Sequence, residues 1–69
     1  MKNWVQQARE ASRLSLEDCA SALFLSRGAF AQKEANPGTI TLNELRVLHN
    51  VFNEDARKIV KKALLEIYL

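Results

Sequence analysis

The sequence is short of most of the residues that dedicated chemistry requires. Its one cysteine, Cys19, rules out an internal disulfide and a cysteine-rich zinc site. Its one histidine, His49, has no second histidine or cysteine cluster with which to complete a metal centre. Two glycines leave no Gly-rich phosphate loop, and Ser12, Ser15, Ser21 and Ser26 all lie outside any Gly-x-Ser-x-Gly setting. Cys19 falls on an apolar helical stripe, where it reads as a small buried hydrophobe and not as a nucleophile. An enzyme is therefore the weakest hypothesis, and neither a cofactor nor a metal is expected.

Long apolar runs are missing as well. Nothing approaches the ~20 residues that cross a bilayer, and the opening MKNWVQQARE has no apolar h-region of signal-peptide type. With the lone cysteine, these features lead us to expect a reducing cytoplasm and no membrane partner. Charge of one sign is scarce: the net charge is +2 with a pI near 9.0, and six basic and five acidic residues share the first fifty positions. That balance permits nucleic-acid binding without requiring it, so the placement of the cations decides.

What is present is a soluble globular composition, 48% hydrophobic and 26% charged over 69 residues, near the size at which one core only just suffices. No run of β-branched or aromatic residues alternates with polar ones, so no strand is expected. The reading is all-α, one domain over 1–69, with about five helices.

Trp4, Val5, Ala8 and Ala11 recur at helical spacing behind a capping Asn3. Arg13 breaks that pattern, and Leu14 is the expected core contact of the connection. Ser15 precedes Leu16, Cys19, Ala20 and Leu23, an i, i+3, i+4, i+7 stripe; Glu17 and Asp18 oppose the positive end of this helix, and Ser15 with Asp18 makes a capping box with a shortened acid. Ser26 caps the next helix, Arg27 to Ala35, whose single large apolar anchor is Phe30. Its outer face is left available.

Asn36-Pro37-Gly38-Thr39 is the clearest turn. Thr41 with Glu44 forms a second capping box, Ile40 is placed to staple onto Leu45, and Leu42, Leu45, Leu48 and Phe52 form the expected stripe of the fourth helix. Asn53 then caps a C-terminal helix over 54–68, with Glu54 and Asp55 in its first turn. Its apolar positions outnumber what one side of its own core needs. Ile59, Val60, Ala63, Leu64, Ile67 and Tyr68 are accordingly candidates for a dimer interface. Arg57, Lys58, Lys61 and Lys62 opposite them read as a solvated face.

The stretch Leu14 to Asn36, LSLEDCASALFLSRGAFAQKEAN, carries a more specific pattern, with its helix-turn-helix core at about 15–36. Arg9 before it, Leu14-Ser15, Cys19-Ala20, Leu25-Ser26, Phe30, Glu34, and Thr41-Leu42 with Leu45 after it resemble the helix-turn-helix domain of the XRE family, that of phage repressor and Cro proteins. The likeness runs from about Trp4 to Phe52. It implies a compact five-helix lambda-repressor-like domain in the bacterial cytoplasm or nucleoid, with Ala20 small because two helices cross there.

The resemblance further implies an ion pair between Arg9 and Glu34. It implies base-reading by Arg27, Gly28 and Gln32, and phosphate or backbone contacts by Ser15, Ser26, Lys33 and Asn36. Arginine suits guanine and glutamine suits adenine in the major groove of double-stranded DNA. The partners it implies are a pseudo-palindromic operator and a second copy, in a homodimer about one DNA turn, ~34 Å, between half-sites. The function expected is a sequence-specific transcriptional regulator of a phage, prophage or mobile element that blocks transcription by occupancy. The alternatives are an antitoxin of a toxin-antitoxin pair and a protein-interaction module on the same scaffold.

Three positions depart from the family pattern. Leu16 stands where a phosphate-binding glutamine is frequent, Lys33 where an apolar residue is common, and Phe24 where the turn usually has glycine. Phe24 either covers the edge of the core in a turn built slightly differently or contacts a partner. Lys33 is expected to lay its stem over the core and offer its ammonium to a phosphate or to solvent.

Overall fold

The computed structural model describes residues 2–68, with side chains through residue 66. Five α-helices follow one another: α1 (Trp4–Ala11), α2 (Leu16–Ala22), α3 (Arg27–Ala35), α4 (Leu42–Val51) and α5 (Glu54–Tyr68). A single 3-10 turn, Pro37–Thr39, separates α3 from α4, and no strand occurs among the described residues. The all-α reading holds.

Each helix starts where a short polar side chain can accept from backbone N–H groups that have no partner within the helix. Asn3 accepts from Gln6 N at 3.0 Å, Ser15 from Asp18 N at 3.0 Å, Ser26 from Ala29 N at 3.1 Å and Thr41 from Glu44 N at 3.1 Å. At α2 and α4 the box closes, because Asp18 and Glu44 accept in return from the N–H of Ser15 and of Thr41. Asn53 does more than cap α5 through Ala56 N at 2.9 Å. Its side-chain amide donates to Ala11 O at 2.8 Å and its backbone N–H to Ser12 Oγ at 2.9 Å, so one residue joins the start of α5 to the end of α1.

The first two helices also end alike. Leu14 N donates to Arg9 O at 3.1 Å and Arg13 N to Glu10 O at 2.9 Å; Leu25 N donates to Ala20 O at 2.9 Å and Phe24 N to Ser21 O at 3.2 Å. Both are Schellman endings, which place the residue after the cap in the left-handed region and usually employ glycine there. Here those residues are Arg13, at φ 57°, and Phe24, at φ 58°.

The core is Val5 and Ala8 from α1, Cys19 and Ala20 from α2, Phe30 from α3, Leu48 from α4, Phe52, and Ala56 and Val60 from α5. Phe52 enters it from the extended residue that ends α4, not from the helix itself. Leu42 corrects the expected stripe, since it is 85% exposed. Leucines at 42, 45 and 48 step by three residues, and each such step lags the helical turn by about 60°. Two steps therefore carry Leu42 about a third of a turn away from the direction in which Leu48 is buried.

A second correction concerns α5. Its main packing partner is α1, which takes up the apolar stripe within the monomer. Val60 and Ala63, read as interface candidates, are 2% and 8% exposed, and Ile59 and Leu64 are partly buried with Leu64 and Ile59 both packed against the core. Periodicity located the apolar face but not what covers it, and the cover is α1. The side chains of Ile67 and Tyr68 lie outside the described residues.

Candidate nucleic-acid interface

The corner between α2 and α3 is built from residues only a few positions apart. α2 ends on the Schellman hydrogen bonds, Leu25 turns the chain, and Ser26 opens α3 at once. Ala20, 2% exposed, and Phe30, fully buried, fill the space where the two helices meet. The side of α3 bearing Phe30 and Glu34, one turn apart, points into the molecule.

Glu34 is held by Arg9 and Asn3. Arg9 Nε lies 3.0 Å and 3.3 Å from its two carboxylate oxygens, and the guanidinium's Nη2 donates to Oε1 at 3.2 Å. Arg9 Nη1 also donates to Leu14 O at 2.8 Å, and Asn3 Nδ2 donates to Glu34 O at 2.6 Å. The pair implied by the resemblance is thus in place and joins α1, the α1–α2 connection and α3. A half-satisfied carboxylate here would be costly, but no buried side-chain polar atom among the described residues lacks a partner.

Opposite this side, Gly28 and Gln32 lie one turn apart and exposed, with exposed Arg27 at the start of the helix. Among the described residues neither the Arg27 nor the Gln32 side chain has a hydrogen bond or ion pair within the protein. A β-carbon built on Gly28 would meet nothing within 4 Å, so internal packing does not require glycine there.

The residues read as phosphate contacts fare differently. Lys33 is corrected: its ammonium lies 3.0 Å from both Thr39 O and Glu44 Oε1, and so braces α3 against the turn and the start of α4. Asn36 Nδ2 donates to Gln32 O at 3.2 Å, while its own carbonyl accepts from Thr39 N and Oγ1. Ser26 retains its hydroxyl proton for an outside acceptor after accepting from Ala29.

Ser15 is the least suitable of the four. Its N–H is taken by the Asp18 carboxylate at 2.8 Å, which places a negative charge beside it. Hydrogen bonding from the Ser15 N–H, then from its hydroxyl, holds the Asp18 carboxyl below its usual range, so that charge persists at neutral pH.

Cys19 is a free cysteine buried in the core. Burial pushes its thiol up to about 11, against a smaller opposing pull from Arg9, so it is protonated under ordinary conditions. Among the described residues no three His, Cys, Asp or Glu side chains come together as a metal site would require, and no helix is long and apolar enough to cross a membrane. The Asn3 contact to Glu34, the Lys33–Glu44 pair, the left-handed Arg13 and the reach of Asn53 to Ala11 and Ser12 had no sequence signal. Comparison with protein-family models, with curated proteins and with solved structures finds no match to this chain.

Proposed function

We propose that this protein is a sequence-specific DNA-binding regulator of the helix-turn-helix kind, which acts by occupying an operator and excluding polymerase. The reading rests on one observation: on α3 the Lys33 and Glu34 side chains are engaged internally, whereas Gln32 on the outer side and Arg27 at the start of the helix are exposed and free. Those two have the chemistry for guanine and for adenine edges, and Gly28 between them lets the helix backbone approach the groove closely. Ser26, beside them, is the best placed of the expected phosphate contacts.

Leu14 to Asn36 contains two basic residues, Arg27 and Lys33, against three acidic ones, Glu17, Asp18 and Glu34. Lys33 and Glu34 are neutralised within the fold, so the stretch provides little nonspecific attraction to phosphate. Modest affinity per copy follows, and two copies on a pseudo-palindromic operator would double the contacts. Such a dimer would use α5 residues other than Val60 and Ala63, which the monomer buries.

Binding to genomic DNA fragments at two salt concentrations tests the proposal. Arg27→Ala and Gln32→Ala should each weaken specific binding by about 1–3 kcal/mol without altering the melting temperature. Equal binding by the wild type and both variants would withdraw the base-reading role of α3. Selection from a random DNA pool then reports half-site symmetry and spacing.

A further inference from the structure

The large apolar side chains left exposed among the described residues are Phe24, Leu42, Val51 and Leu65. Phe24 corrects the expectation that it covers the edge of the core, since its ring is 97% exposed. Leu65, 52% exposed, differs from the other three in what surrounds it. Residues three and four apart are neighbours on a helix surface, so Lys61 and Lys62 stand one turn before Leu65, and Lys58 stands two turns before it. A groove of about 340 Å³ is lined by these three lysines, Leu65 and Glu66. Its walls are mostly carbon, supplied by Leu65 and the lysine stems.

The buried side of α5 carries Ala56, Val60 and Ala63, so this groove lies on the side turned away from the core. Its charge is not neutralised by the fold. Lys62 approaches Glu66 only to 4.0 Å, with both side chains largely exposed, and such a pair holds its cation weakly. Lys58 and Lys61 have no ion-pair partner among the described residues, although Glu54 and Asp55 precede Lys58 at helical pairing distance. The same two lysines line an adjoining groove of about 370 Å³ with His49 and Arg57, in which Glu54 is the one carboxylate. Elsewhere Lys2, Arg9 and Lys33 are each taken up by an acid, Glu10, Glu34 and Glu44 in turn.

We propose that the outer side of α5 is a docking surface for a partner protein that presents an aliphatic or aromatic residue flanked by aspartates or glutamates. The lysines select the acids, and Leu65 with the lysine stems selects the apolar residue between them. A nucleic-acid backbone would satisfy the lysines but leave Leu65 uncovered. A lipid surface calls for a wider apolar face than one leucine. A second copy packed on the same side would set lysines against lysines. The surface is on a different helix from Arg27 and Gln32, so it stands or falls independently of DNA binding.

The probe is a random library of short linear peptides, selected against the immobilised full chain and counter-selected on bare support. Enrichment of peptides that join an apolar residue to flanking acids is expected. Their affinity should drop about tenfold or more when Lys58→Gln and Lys61→Gln are combined, and by a smaller factor in Leu65→Ala. Arg13→Gln, which removes an exposed cation elsewhere, should leave it unchanged. These side chains are exposed, so all the variants should melt as the wild type does, which separates lost binding from lost folding. Absence of enrichment, enrichment of peptides without acids, or full binding by the lysine variant or by Leu65→Ala each overturns the proposal. Equal weakening by Arg13→Gln overturns it as well, because the attraction would then follow net charge alone. Binding of mixed-sequence duplex DNA or of anionic vesicles that the lysine variant loses, with no peptide bound, overturns it and assigns the surface to nucleic acid or to lipid.

Discussion

The two sides of α3 differ in whether their polar groups are used within the protein. On the inner side Glu34 is saturated by Arg9, while its backbone carbonyl receives Asn3, and Phe30 beside it is fully buried. On the outer side Gln32 is unengaged, as is Arg27 at the start of the helix, and Gly28 gives up helix propensity with no packing reason. A helix optimised only for stability would have neither feature. The inner side therefore sets where α3 sits, and the outer side is left unused by the fold.

The strongest way to break this comparison is to remove the inner anchor. Glu34→Ala leaves the Arg9 guanidinium, whose side chain is only 13% exposed, without its carboxylate. A loss of about 3–5 kcal/mol is expected from stranding such a charge, and that approaches the whole stability of a chain this size. Circular dichroism should show an unfolded or barely folded protein at 25 °C. Gln32→Ala on the outer side should leave the thermal transition in place; if the two variants melted alike, the distinction between the sides would be lost.

The comparison sharpens at Gly28. Since a β-carbon there meets nothing, Gly28→Ala should stabilise the protein by about 1 kcal/mol through helix propensity alone, a rise of about 4–8 °C in melting temperature. If Gly28 serves close approach to DNA, the same variant should bind fragments more weakly while melting higher. A gain in both properties would place Gly28 outside the interface.

Lys33 stands between the two sides and gives a smaller effect. Its pair with Glu44 is partly exposed, with the two side chains 22% and 21% accessible, so Lys33→Met should cost no more than about 1 kcal/mol. Because the ammonium is committed to Thr39 O and Glu44, the salt dependence of DNA binding should not change in this variant. A shallower slope, by about one unit, would restore Lys33 as a phosphate contact.

Helix starts were legible in the sequence because a cap and its target lie within three residues: Ser15 with Asp18, Ser26, Thr41 with Glu44, and Asn53 with Ala56. Contacts across the fold were not. Arg9 and Glu34, 25 residues apart, were paired only through the family resemblance, and the reach of Asn53 to Ala11 and Ser12 had no local signal. The outer side of α3 could be read by subtraction, since its residues do not fit the apolar stripe. What the sequence could not convey was which polar residues would also be taken up internally, as Lys33, Asn36 and Ser15 are.

The least effect is expected from pH, and it too depends on engagement. The Asp18 and Glu44 carboxyls titrate below their usual range, chiefly because each accepts from the N–H of its own cap residue, Ser15 or Thr41. A group with a depressed folded-state pKa contributes stability that is present above its unfolded value and is lost as the pH falls through the folded one. The melting temperature should accordingly hold from pH 7 to about 5 and fall below the ordinary carboxylate range near 4. Replacing both acids, as Asp18→Asn with Glu44→Gln, should lower stability at pH 7 and flatten the acid limb, while Gln32→Ala leaves the limb unchanged. An acid limb as steep in the double variant as in the wild type would mean that these two carboxyls do not account for the acid sensitivity.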